Sequence, residues 1–169
     1  IEDALRFNND QLNHMVEQLD YIARHDQLTG LLNRGSAMQA AEDALIASGL
    51  GATEIGVVLL DLDRFKMIND SFGHLVGDRV LAEVAAVLRK ATRQGDIIGR
   101  YGGEEFVAFL PGATLPVVTQ FAERVRAAVE RARISVSDGL SVPMTISGGV
   151  ACIPTCADSL NEALRVADD

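Results

Sequence analysis

The stretch Arg100-Tyr101-Gly102-Gly103-Glu104-Glu105-Phe106 lies between two short apolar runs, residues 96–99 and 107–110. Two such runs joined through Gly-Gly predict a β-hairpin, because glycine enters positive-φ turns without steric cost. The paired glutamates then stand at a tight turn beside side-chain-free backbone, where a metal and a polyphosphate can approach the main chain. A hairpin carrying two solvated acids is the other reading of this stretch, since short motifs recur by chance. The rest of the chain has to decide.

Working outward, residues 54–62 form an apolar run, Glu-Ile-Gly-Val-Val-Leu-Leu-Asp-Leu, followed by Asp63. This predicts a buried strand whose period of two puts Asp61 and Asp63 on one face, at its carboxyl end. Residues 64–70 read as a short helical turn, and residues 77–93 as a longer helix with Val80, Leu81, Val84, Val87 and Leu88 on one face. After the hairpin (96–110), Pro111-Gly112 ends the strand and Thr114 is placed to cap a helix bearing Val117, Val118, Phe121, Val125 and Val129. Strands are expected at 134–137 and 142–153, the latter softened by Gly148-Gly149, and a last helix at 159–169. Upstream, 34–48 reads as a helix ended by Ser48-Gly49, preceded by a turn at Thr29-Gly30.

The first two dozen residues differ from the remainder. Ile1, Leu5, Leu12, Met15, Leu19 and Ile22 follow a heptad spacing interrupted only by Asn8, which predicts a helix pairing with a second copy of itself. An amphipathic helix lying on its own domain is the alternative. The chain thus divides into a signalling helix at 1–24 and a globular domain at 25–169.

Composition limits the ligands. With 169 residues, 48% of them apolar, there is enough chain for one well-buried core. The net charge of −9 argues against a nucleic-acid polymer or a polybasic membrane patch, so an anionic ligand needs metal ions or a local basic pocket. Two cysteines, Cys152 and Cys156, give neither a zinc site nor a disulfide framework, which suits a reducing cytoplasm. The start at Ile1 rather than Met suggests a piece of something longer, in which other parts could anchor it to a membrane.

Asp61-Leu62-Asp63-Arg64-Phe65-Lys66-Met67-Ile68-Asn69-Asp70, then Phe72-Gly73-His74 with Gly77-Asp78, then Gly102-Gly103-Glu104-Glu105-Phe106, together closely resemble the GGDEF family of diguanylate cyclases. The similarity runs from Asp26-Gln27-Leu28-Thr29 to Ser147-Gly148-Gly149-Val150-Ala151. It implies an α+β, palm-like domain: a central, mostly antiparallel sheet flanked by helices, related in shape to class III nucleotide cyclases. Such a domain condenses two GTP molecules into cyclic di-GMP with release of two pyrophosphates.

The resemblance also assigns roles. Asp61, the backbone carbonyl of Leu62 and Glu104 would hold two Mg²⁺ ions, with Mn²⁺ able to replace them. Glu104 would accept the 3′-hydroxyl proton and Glu105 would assist. Phe65 (through its backbone), Lys66, Gly102 and Gly103 would meet the phosphates, a lysine beside free helix N–H groups being suited to an anion. Asn69, His74 and Asp78 would line the guanine pocket. A carboxylate at 78 can accept from guanine N1–H and N2–H₂, and adenine has no such donor pair. Asp63 is left out of the metal set because an aspartate just before a helical turn serves equally as an N-cap. Arg93 and Asp96 match the RxxD inhibitory site of the family, implying feedback by cyclic di-GMP; a plain charge pair at a helix end is the other reading. Asp26, Leu28, Thr29, Asn33 and Arg34 are read as a turn held by a local Asp/Arg pairing.

One domain holds one GTP, so catalysis requires a homodimer of facing half-sites, brought together by the N-terminal helix under an upstream sensor. The sequence departs from the family at Gly148, where isoleucine is usual, and ends before a lysine and an arginine that clamp the triphosphate. A catalytically silent module that binds GTP or cyclic di-GMP is the alternative function, and a cyclase making cyclic GMP from single GTPs is a third.

Overall fold

A computed structural model describes residues 2–49, 53–137 and 139–169. Helix α1 (Glu2–Arg24) buries none of its residues, so the helix does not lie on its own domain. Leu5, Leu12, Met15, Leu19 and Ile22 are all more than half exposed. Ile1, the first position of the proposed seam, lies outside the described residues.

Helix α2 (Arg34–Ala47) begins where the Asn33 side chain accepts from the Ser36 N–H at 2.9 Å, satisfying a donor that the first helical turn leaves free. Strand β1 (Ile55–Leu62) follows, and then the helices α3 (Phe65–Phe72) and α4 (His74–Ala91) meet at Gly73. That corner needs φ +89°, a conformation open to glycine. Helix α4 starts three residues earlier than its apolar stripe predicted, because the stripe marks only the buried face.

Strands β2 (Ile97–Arg100) and β3 (Glu105–Pro111) form the expected hairpin, with Arg100 opposite Phe106. Its turn works differently from expectation. Neither Gly102 nor Gly103 takes positive φ. The connection is wider than a two-residue turn and is closed by the Tyr101 and Gly102 N–H groups, both donating to the Glu105 carbonyl (2.8 and 3.2 Å). A Cβ on Gly102 would meet the Glu105 carboxylate and make that side chain turn away, whereas Gly103 faces open space.

Helix α5 (Leu115–Ala132) starts after Thr114, which occupies the cap position without its side chain accepting a bond. The strand expected over 142–153 is divided. Leu140–Val142 (β5) pairs with Ile134–Ser137 (β4) in a separate ribbon, and Ile146–Ile153 (β6) joins the main sheet. Pro143 lies at the break, having no N–H to continue a ladder. Helix α6 (Leu160–Asp168) is capped by Ser159, whose hydroxyl accepts from the Glu162 N–H at 3.2 Å.

The main sheet has the order β2-β3-β1-β6, with every neighbouring pair antiparallel. Both of its faces are covered. Val58, Leu60, Leu62, Phe106, Ala108 and Leu110 pack with α4 and α5, while the alternate residues Ile55, Val57, Leu59, Val107 and Phe109 pack with α2 and α6. This explains why β1 reads as an unbroken apolar run. Each such buried side chain contributes about 1.5–3 kcal/mol, and along β1 only Asp61 is exposed.

Gly148 and Gly149 do more than soften β6. A Cβ on Gly149 would strike the Ala167 carbonyl, and one on Gly148 the Leu59 carbonyl. Helix α6 therefore rests directly on strand backbone. Gly149→Ala is expected to destabilise the fold by about 1–3 kcal/mol, because the obstacle is main chain and cannot rotate away. Thermal unfolding checks this, with a melting temperature lowered by several degrees, ~2–4 °C per kcal/mol at this size.

Candidate active site

The open end of β1 gathers acids from three segments, the end of the strand itself, the hairpin and α6. Asp61 is the cross-strand partner of Glu105 on β3, and Ser147 lies opposite it on β6. Like charges placed directly opposite repel. Burial raises the Asp61 carboxyl above its usual range, and the charges of Asp63 and of Asp168 at the end of α6 add to the effect. Glu104 is likewise raised, first by burial and then by Asp61 and Glu105.

Among the described residues, no three acid, histidine or cysteine side chains converge as a complete ligand set for an ion. Two carboxylates with a main-chain oxygen remain, and that suits magnesium, which is commonly held by one or two carboxylates together with substrate phosphates. The Leu62 N–H donates to the Glu104 carbonyl at 3.2 Å. In an extended strand a residue's N–H and C=O point to the same side, so the Leu62 carbonyl faces the hairpin and Glu104. Repelling acids, a raised Glu104 and a carbonyl on that side fit a bound divalent cation.

Asp63 is not a helix cap. The residue before α3 is Arg64, in the left-handed conformation and without a side-chain cap. Both Asp63 oxygens instead accept hydroxyls from the start of β6, Thr145 at 2.6 Å and Ser147 at 2.7 Å.

Phe65 anchors α3 in the core, leaving Lys66 exposed in the first helical turn. Asn69 lies against the start of α4 so closely that a Cβ on Gly77 would overlap its carboxamide. Its orientation is therefore set by α4, which also carries exposed His74 and Asp78. These three residues surround the α3–α4 corner. A groove of about 600 Å³ on another side of α3 is walled by Asp63, Arg64, Met67 and Thr145, and contains none of the three.

Arg93 and Asp96 close a small turn after α4. The Arg93 N–H donates to the Asp96 carboxylate at 2.8 Å, and the Asp96 N–H to the Arg93 carbonyl at 3.1 Å. Their side chains border two adjoining hollows. One, of about 700 Å³, brings Arg93 together with Lys90, Arg124 and Arg131; the other, of about 280 Å³, with Asp96, Gln120 and Arg124. In a chain of net charge −9 this is a local basic pocket.

The family model "Diguanylate cyclase, GGDEF domain" matches residues 23–169. The chain belongs to this family. It is similar to the diguanylate cyclase DgcM of Escherichia coli, 40% identical over 155 residues, which are 92% of this chain and 37% of that protein. It is also similar to the response regulator PleD of Caulobacter vibrioides, 38% identical over 168 residues, 99% of this chain and 36% of that protein. Among solved structures, the coiled coil and GGDEF domain of DgcB from Caulobacter crescentus in complex with c-di-GMP superposes with a TM-score of 0.86 at 29% identity, covering 96% of this chain and 86% of that one. The chain spans less than two fifths of the curated relatives' length.

The GGDEF domain contains residues near these sites that the sequence reading passed over. Asn161, Arg165 and Asp168 line a hollow of about 260 Å³ with Tyr101 and Glu105. Their spacing of four and three marks one face of α6. Arg124 and Arg131, seven apart on α5, had the same signal. The local Asp/Arg pairing expected at Asp26 is replaced by a distant one, to Arg100 at 3.1 Å, while Arg34 stacks on the Tyr101 ring at 4.2 Å.

The crowded acids have a measurable consequence. Asp61 and Glu104 are raised in the folded state, so the stability they contribute is full below the unfolded carboxylate range and is lost as pH rises through their folded values. In protein stripped of divalent cations at pH 7, Glu104→Gln is expected to raise the melting temperature by about 1–2 °C. The difference should vanish in acid, and Mg²⁺ should raise the wild type more than the variant. A variant that melts below the wild type at pH 7 would show that these acids are not in conflict.

Proposed function

We propose that this GGDEF domain is a diguanylate cyclase, joining two GTP molecules into cyclic di-GMP with release of two pyrophosphates. The observation that carries the reading is the group of acids in which Asp61, the one exposed residue of an otherwise buried strand, meets Glu104 and Glu105 of the hairpin. Asn69, His74 and Asp78 are the guanine-reading set, and Asp78 selects guanine over adenine by accepting from its N1–H and N2–H₂. Lys66, the Phe65 backbone, Gly102 and Gly103 receive the phosphates.

Asp61, the Leu62 carbonyl and Glu104 would hold divalent cations, two Mg²⁺ per site with Mn²⁺ able to replace them, which when bound offset charge on the α-phosphate and the departing pyrophosphate. Each 3′-oxygen bonds to the α-phosphorus of the other GTP as the α–β phosphoanhydride bond breaks. Glu104 accepts the 3′-hydroxyl proton, and Glu105 orients it. A carboxyl held above its ordinary range is better matched to base chemistry near neutral pH.

Two half-sites must face each other for this reaction, since one domain supplies one GTP. The unburied apolar stripe of α1 supports pairing with a second copy, and residues 1–24 then act as a signalling helix joined to the domain at 25–169, below an upstream sensor. Arg93 and Asp96, with Arg124 beside them, form the product-binding inhibitory site, an arginine cluster being suited to phosphate. Among the described residues no helix is long and apolar enough to cross a membrane. Two free cysteines suit a reducing compartment, and the cytoplasm is the proposed location.

Incubation of the protein with GTP and Mg²⁺, with products resolved by mass, should yield cyclic di-GMP. Glu104→Ala should abolish it. Bound nucleotide without product would instead favour a silent binding module, and cyclic GMP would favour a single-substrate cyclase. Arg93→Ala should leave turnover intact while relieving product inhibition by at least about tenfold, the effect of losing one charge-assisted contact. Unchanged inhibition would remove the RxxD assignment.

A further inference from the structure

Arg100 precedes the Gly-Gly turn and uses all three of its guanidinium nitrogens. Nη1 donates to both Asp26 oxygens at 3.3 and 3.1 Å, Nε to the Gly102 carbonyl at 3.2 Å, and Nη2 to the Gly103 carbonyl at 2.7 Å. Only a planar fork with separate donors makes such a bridge. Both partners are about four-fifths buried, so solvent screens the pair poorly.

Asp26 is itself fixed. It accepts from the Thr29 N–H at 2.9 Å and the Thr29 hydroxyl at 2.8 Å. Burial pushes its carboxyl up, but the Thr29 bonds and the Arg100 charge outweigh this and hold it below the usual carboxylate value. The same loop grips the end of α1: the Asn33 side chain donates to the Ala23 carbonyl at 2.7 Å, and the Asn33 N–H to the Arg24 carbonyl at 2.9 Å. The loop is also tied to β2, the Arg100 N–H donating to the Leu32 carbonyl at 2.9 Å. Two branches from the base of α1 thus meet at Arg100, one through Asn33 and the carbonyl of its neighbour Leu32, the other through the Asp26 carboxylate, and Arg100 passes both to the two carbonyls preceding Glu104.

We propose that Arg100 is a positioning residue that sets the Gly102-Gly103 turn, and with it Glu104, according to where Asp26 is held at the base of α1. A change in α1 pairing thereby reaches the acids without passing through the core. The activity arm of this inference rests on the cyclase reading; the structural arm does not.

The test compares wild type, Asp26→Asn and Arg100→Lys. Lysine keeps the charge but offers one ammonium where the guanidinium spans Asp26 and two carbonyls; asparagine leaves the loop in place and removes the charge. Amide hydrogen exchange at Tyr101 and Gly102, the donors that close the turn, should quicken by about tenfold in either variant, the scale of one lost charge-assisted bond. Amides at 107–110 should stay at wild-type rates. Turnover of GTP should fall by a similar factor, mostly in kcat, because Arg100 is not among the nucleotide contacts. Wild-type exchange at the turn together with wild-type kcat would overturn the proposal, as would exchange rising evenly across the sheet, which marks general destabilisation. Should the wild type form no cyclic di-GMP, the cyclase reading fails and the exchange data alone decide.

Discussion

Glu104 held beside Asp61 and Glu105, at the end of the β1–β3 ladder, is a repulsive arrangement that the fold imposes. Two adjacent carboxylates would drift apart on a loose scaffold. Here each is held by a ladder whose two faces are buried under helix pairs, so the energy of separating them includes breaking the centre of the domain. The apolar core and the acidic end are therefore parts of a single device. Burial supplies the rigidity, and that rigidity keeps the negative charge concentrated in a form that suits a cation.

The placement of α6 depends on the same economy of space. Glycine at 149 allows the helix main chain to touch the strand, which brings Asp168 and Arg165 to the edge of the acid group. Across the sheet, α5 brings Arg124 and Arg131 beside Arg93. A chain with an overall negative charge thus displays one concentrated acidic end and one basic hollow. The two arise on opposite faces of one sheet because alternate strand residues face different helix pairs.

Much of this was legible in the sequence because it is periodic or local. The run at residues 54–62 predicts a strand with its acid at the end, and the sheet places Asp61 there as the one exposed residue. The hairpin around Gly102-Gly103 needs only two apolar runs and a gap. Long-range polar contacts were hidden. Asp26 and Arg100 are 74 positions apart, so nothing in local spacing points to their pairing, and the nearer Arg34 was the natural but wrong partner. Asp63 had the same difficulty, since its partners Thr145 and Ser147, beside and within β6, lie more than 80 residues away. The Gly-Gly turn shows a different limit: glycine can supply either unusual φ or empty space, and a sequence does not distinguish them.

Helix α1 adds nothing to the buried interior, and hydrogen bonds of the connecting loop hold its end. The core of the domain does not depend on the side chains of α1 for its packing. Residues on α1 can therefore be exchanged without repacking the core, as long as the helix reaches this loop. The joint keeps the exposed helix and the packed domain structurally separate, so that a change of sequence in the one leaves the packing of the other in place.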